Sequence, residues 1–303
     1  MVICLLVHAY SVVNRHTLMG CFREETDMLA VLQLDTPPKR SFWRRRVRRK
    51  NPVRTQVMTI GTSGYLQITA VPDREGRIDW EEVRQAAGRE AGRMLFPAGV
   101  RPPEGYGFGF FNGNALSRAL MTAAAQQLLR MASVPPKHMS IGLYDPSGSL
   151  AALVPALLPF AADVRVVTGR PQAYEGAERI AMAMFGAALP VTREAETLTG
   201  SKLILAPEGL GHIRPRARGL VLSGVPDDRP GVVGGYVPRV PAQWLQNAPD
   251  RCDIWRFLAG LYELSGLRDI AAEPPQMLYI GGHTFSLRDA AWKLAGLDIG
   301  ISV

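Results

Sequence analysis

Three short stretches carry residue types that can hold a phosphate or a carboxylate. The first is Gly142-Leu-Tyr-Asp145-Pro-Ser-Gly148-Ser149. Ser147, Gly148 and Ser149 can offer N–H and hydroxyl donors where a helix starts, the usual place for an anion. The same composition also suits a helix cap and turn, and Asp145 reads as a cap or as a partner for a ribose. The second stretch is Thr168-Gly169-Arg170, in which a planar, multi-donor guanidinium suits phosphate oxygens. The third is Ala206-Pro207-Glu208-Gly209-Leu210. Other chemistries are thinly represented. His138, His212 and His283 stand apart, and Gly281-Gly282-His283-Thr284 is the one loop that would present a general acid or base. No histidine or carboxylate spacing suggests a metal, and no G-x-S-x-G elbow or P-loop occurs. The carboxylate pairs at 81–82 and 227–228 fall on a helix face and in a loop. No set of catalytic residues emerges.

The elements that would position these stretches follow from periodicity. HMSIGLYD (138–145), DVRVVTG (163–169), LPVT (189–192), KLILA (202–206) and GLVLSGV (219–225) are apolar runs of strand length. An apolar segment at 150–162 and a helix at 174–186 lie between them, the latter with Ala177, Ile180, Ala181, Met184 and Phe185 on one face. Continuous apolar strands alternating with helices predict a parallel sheet covered on both faces. Helix 253–266, strand 277–281 and helix 286–296 complete this half, and the Pro/Gly-rich 226–241 reads as a loop. The first half is of a different kind. It has apolar runs at 2–13 and 28–34, then a hairpin of TQVMTI and YLQITAV about Gly61-Thr-Ser-Gly64. A helix opens at Asp79, which has capping-box spacing to Glu82, and buries Trp80, Val83, Ala87, Ala91 and Met94. GFGFF (107–111) reads as a strand, and Asn114 as the cap of a long helix, 115–132.

The expected fold is therefore α/β: an α+β domain over 1–112 with a basic loop at 37–54, followed by a doubly wound, mostly parallel, Rossmann-like domain over 113–303. A length of 303 residues fits about two domains. The net charge of +8 belongs to one segment. Residues 39–54 hold nine positive charges and no acid, and without them the chain stands at −1. Phe42 and Trp43 beside the arginines of 44–49 suit single-stranded nucleic acid or an anionic membrane surface. Like-charged blocks are more often solvated loops, so nucleic-acid contact through Arg44–Lys50 is the weakest of the functional readings. Three widely spaced cysteines, Cys4, Cys21 and Cys252, fit reduced thiols in a cytoplasm. The run 2–13 lacks the preceding basic residues of a signal peptide, is too short to span a bilayer and reads as a buried strand. Met28 offers a second start, which leaves the role of 1–27 open.

Residues 139–225 resemble the NADP-binding half of the shikimate dehydrogenase and glutamyl-tRNA reductase group. Thr168-Gly169-Arg170, followed by Ala177-Glu-Arg-Ile-Ala181, resembles the turn in which that group takes the adenosine 2′-phosphate. Ala206-Pro207 resembles the loop that passes the nicotinamide ribose. Leu258-Ala-Gly-Leu-Tyr-Glu-Leu-Ser-Gly266 resembles a helix that packs back towards the cleft. The resemblance implies NADP as cofactor and Gly142, Ser147, Gly148, Ser149, Thr168, Gly169, Arg170, Ala206 and Pro207 as its contacts. It covers less than half of the chain and has departures. The first turn lacks G-x-G-x-x-G, whose glycines let the backbone approach a pyrophosphate. Pro146 removes a donor there, Pro155 and Pro159 interrupt the following helix, and the family's catalytic residues have no counterpart. Two readings stand side by side: a weak NADP-binding, oxidoreductase-like protein, and a non-catalytic binding or assembly module that has lost the cofactor site.

Overall fold

The computed structural model describes residues 28–35, 53–73, 75–109, 111, 113–211, 213 and 219–296. The run 2–13, Cys4, Cys21, His212 and the basic stretch apart from Val53 and Arg54 lie outside the described residues. The protein is mixed α/β. Its strands are β1 (Leu29–Leu34), β2 (Arg54–Ile60), β3 (Ser63–Ala70), β4 (Met94–Leu95), β5 (Ser140–Tyr144), β6 (Asp163–Val167), β7 (Val191–Thr192), β8 (Leu203–Ala206), β9 (Leu220–Ser223), β10 (Val232–Val237), β11 (Met277–Ile280) and β12 (His283–Ser286). The helices are α1 (Trp80–Ala87), α2 (Asn114–Ala132), α3 (Val154–Leu157), α4 (Glu175–Ile180), α5 (Ala242–Gln246), α6 (Ile254–Glu263) and α7 (Leu287–Leu294). Two compact units form. The first takes in the described residues of Met1–Asn112 together with Ala242–Leu267, and the second those of Gly113–Pro241 and Arg268–Val303. The segment holding α5 and α6, read from sequence as part of the second domain, thus lies in the first unit.

The first unit is built on a four-stranded sheet in the order β2-β3-β1-β4. β2 and β3 form the expected antiparallel hairpin, with a turn shortened to Gly61-Thr62. Gly61 has φ +57°, at the position where type II′ hairpin turns favour glycine. β1 runs parallel to both β3 and β4. Ala30, Leu32, Ile68 and Ala70 on one face bury against Val83 and Ala87 of α1. Asp79 caps this helix, its side chain accepting from the Glu82 N–H at 3.1 Å. The helix does not continue to Met94 as its periodicity suggests. Gly88 takes φ +56°, the chain tightens into a 3₁₀ turn over Gly88–Arg93, and Met94 enters β4. β4, and not GFGFF, thereby fills the place beside β1. Residues 107–109 are not strand, and the Gly109 N–H donates to Ala91 O at 3.0 Å. A Cβ on Gly109 would lie 1.9 Å from Gly92 O, so its glycine serves close backbone approach. On the opposite sheet face Tyr65 meets Phe257 of α6 edge-on at 5.0 Å, and Leu29 lies against Gly260.

The second unit carries an eight-stranded sheet in the order β12-β11-β10-β9-β8-β5-β6-β7. The six strands from β10 across to β7 are joined by parallel pairing, and β11 and β12 add antiparallel. Numbered from β5 as the first, the six parallel strands lie 3-2-1-4-5-6, with the order reversing between β5 and β8, the order of doubly wound dinucleotide-binding sheets. Ile141, Leu143, Val166, Leu203 and Leu205 are fully or almost fully buried, as continuous apolar strands require.

Three local expectations fail for identifiable reasons. Segment 226–241 is not all loop, because β10 lies in it. Gly234 and Gly235 are there for close approach: a Cβ on Gly234 would lie 2.0 Å from Asp227 O, and one on Gly235 about 3.1 Å from the Tyr279 ring. Asn114 is the first helical residue of α2, and Gly113, at φ +73°, holds the cap position. As Pro155 and Pro159 imply, 150–162 holds only the single turn of α3 between two 3₁₀ turns. Finally, α4 passes into a π turn over Ala181–Phe185, which rotates the predicted apolar face. Ala177 and Ala181 stay buried, whereas Ile180, Met184 and Phe185 are 38, 73 and 40% exposed. Among the described residues no helix is long and apolar enough to cross a membrane.

Packing in the first unit sets two expectations. Gly260→Val puts side-chain atoms into Leu29, whose Cδ1 lies 2.7 Å from the point a Cβ would occupy. It should cost about 1–3 kcal/mol in denaturant melts, whereas Gly176→Ala on α4, with open space around it, should be neutral or stabilising. Burial pushes Tyr65 and Cys252 each to about 12, from 10.0 and 9.0, with Cys252 and Asp253 respectively adding to the effect. The folded state favours both neutral forms, so their contribution to stability should be complete below pH about 9. It should fall as the pH climbs towards 12, which alkaline denaturation followed by circular dichroism would measure.

Candidate functional site

The candidate site lies at the carboxyl ends of β5, β6 and β8, beside the point where strand order reverses. Open α/β sheets bind ligands in that place. The chain leaves β5 at Tyr144 and turns at once through Asp145-Pro146-Ser147-Gly148, with the Gly148 N–H donating to Asp145 O at 3.2 Å. Gly148 has φ +79°, and a Cβ there would lie 2.6 Å from the Ala173 Cβ. This glycine is therefore demanded by its neighbour in the protein.

Asp145 governs the turn. It is completely buried, and its carboxylate accepts four hydrogen bonds. Oδ1 receives Ser149 Oγ at 2.9 Å and Ser147 Oγ at 3.3 Å. Oδ2 receives the Leu150 N–H at 2.7 Å and the Tyr174 hydroxyl at 2.6 Å. Tyr174 is itself buried. Burial, reinforced by the Asp145 carboxylate, pushes its hydroxyl far above the ordinary tyrosine range, so it remains a donor. An acceptor-only carboxylate matched by four donors is a satisfied buried charge.

The second stretch is tied to the first. The Gly169 N–H donates to Pro146 O at 3.3 Å, and the Asp145 N–H to Val167 O at 2.9 Å. Thr168 is buried, and its Oγ1 accepts from the Arg170 N–H at 3.0 Å. The Arg170 side chain is exposed. In the third stretch Ala206 O accepts from the N–H groups of Gly209 and Gly224. Pro207 is buried, and its carbonyl accepts from Arg118 Nε at 3.1 Å. Gly142 sits within β5 rather than in the turn. A Cβ there would lie 2.9 Å from Leu198 Cδ2 and 3.0 Å from Ser201 Oγ, so strand packing explains it.

The structure thus brings Ser147, Gly148, Ser149, Thr168, Gly169 and Arg170 together at one end of the sheet. It places Gly142 inside β5, Ala206 at the end of β8, and Pro207 in the turn that follows, which backbone bonds to Ala206 O close. The Ser147 and Ser149 hydroxyls and the Leu150 N–H are all turned to the Asp145 carboxylate. No full helix follows to supply a dipole, since α3 is one turn long. Tyr174 is the residue sequence reasoning missed. It lies 29 positions from its partner, and no local pattern marks it.

His138 and His283 are exposed and lie on separate elements. No group of three or more metal-ligating side chains occurs among the described residues. Comparison of the chain with protein families, with curated proteins and with solved structures finds no match.

Removing the central carboxylate gives a direct measure of this network. Asp145→Ala strands two buried donors, Leu150 N–H and Tyr174 Oη, and should destabilise the protein by about 3 kcal/mol in urea melts. Tyr174→Phe should cost about 1–2 kcal/mol. The double variant should fall short of the sum, because one interaction is being removed twice.

Proposed function

We propose that this protein is a non-catalytic binding or assembly module. In this reading its second unit is a Rossmann-like sheet that has kept the dinucleotide-binding strand order and given up the dinucleotide. The observation that carries the proposal is the buried Asp145 carboxylate with its four internal donors. A phosphate brought to that turn would meet a like charge at close range, and displacing the carboxylate would break the turn's own hydrogen bonds. The scarcity of acid–base groups at the site supports the same reading. Arg170 is the one observation favouring the other reading, a weak NADP binder, because its side chain is exposed at the carboxyl end of β6 where a 2′-phosphate would lie.

The two readings separate on titration. Thermal melts of the full chain with NADPH and with NADH, each to millimolar concentration, should show no shift relative to a salt control. An NADPH-selective rise in Tm that Arg170→Ala abolishes would overturn the proposal in favour of the NADP-binding reading.

A further inference from the structure

The first unit holds a polar depression of about 490 Å³, lined by Gln33, Asp35, Arg54, Gln56, Gln67 and Thr69 among others. Strand register explains why these side chains converge. Arg54, Thr69 and Gln33 lie opposite one another across β2, β3 and β1. Gln56 and Gln67 form the adjoining row, with Val31 beyond them. Residues two apart share a sheet face, so all five point the same way, opposite the face that α1 covers. Farther back on this face Leu29 and Tyr65 are covered by α6. The depression begins where that cover stops, at the carboxyl ends of β1 and β3.

The lining runs from the antiparallel edge strand β2 across β3 to β1, and it is polar throughout. The Gln67 amide donates to Gln33 Oε1. Among the described residues nothing pairs with the side chains of Arg54, Gln56 or Thr69. The floor therefore presents a guanidinium, amides and a hydroxyl, with the Asp35 carboxylate at the rim. Among the described residues no aromatic or aliphatic side chain lines it. Such a surface recognises a ligand that is polar on every side. Amides, hydroxyls and a carboxylate match sugar hydroxyls, which both donate and accept. The planar fork of Arg54 matches phosphate oxygens. The volume is that of a small-molecule site.

We propose that this depression binds a small phosphorylated polyol, with Arg54 on the phosphate and Gln33, Gln56, Gln67, Thr69 and Asp35 on the hydroxyls. The inference deepens the binding-module reading and rests on it for the view that the 145–149 turn is not the ligand site. Calorimetric titration of the full chain with ribose 5-phosphate and glucose 6-phosphate tests it, with free ribose, free glucose and inorganic phosphate as separate arms. Saturable binding of at least one sugar phosphate is expected. It should be at least tenfold tighter than its free sugar or inorganic phosphate, and about tenfold or more weaker in Arg54→Gln. Gln56→Leu, exposed on the edge strand, should also weaken it while leaving the melting curve unchanged. No heat with either sugar phosphate at 10-fold excess over about 1 mM protein, or equal binding by Arg54→Gln, would overturn this inference. An NADPH response would instead overturn the reading of the 145–149 turn, so the two failures are distinguishable.

Discussion

The second unit's candidate site depends on one buried charge. Asp145 takes up four donors from the three segments that meet at the end of β5: the serines of its own turn, the backbone N–H that opens the next segment, and Tyr174 from the 3₁₀ turn before α4. A buried carboxylate is tolerated only when it is fully hydrogen-bonded, and here it is. That requirement fixes the turn; the Gly169 N–H ties the β6 end to it through Pro146 O, and Ala173 packs against Gly148. In dinucleotide-binding sheets the ligand's pyrophosphate supplies negative charge at this point. In this chain the donors at that turn are taken up by a side chain, the Asp145 carboxylate.

Much of the architecture is legible in the sequence because parallel strands buried on both faces are written as continuous apolar runs. Residues 140–144, 163–167, 203–206 and 220–223 read in this way, and β1 and the β2–β3 hairpin by length and alternation. What is lost has physical causes. β10 is hidden by Gly234 and Gly235, which look like loop punctuation and in fact make room for Asp227 and Tyr279. The end of α1 is hidden because Trp80 to Met94 keeps a helical spacing across Gly88, where the backbone leaves the helix. The exposure of Met184 and Phe185 follows from a π turn that no periodicity announces.

The site is legible in part. The presence of Asp145 in the turn after β5, and the breaking of the following helix by Pro155 and Pro159, are readable from residue type and position. The reason Asp145 can be buried is not, because Tyr174 is remote in sequence and becomes a partner only when β5 and β6 pair. The depression in the first unit is invisible for a related reason. Gln33, Gln67 and Arg54 are ordinary residues apart, and only the register of three strands sets them side by side.

Whether the turn after β5 is filled from within is tested most directly by recording amide ¹⁵N–¹H spectra of the full chain during addition of NADPH. The Ser147, Gly148, Ser149 and Leu150 resonances are expected to stay in place up to millimolar cofactor. Saturable, concerted movement of those four amides would contradict a turn closed by its own carboxylate.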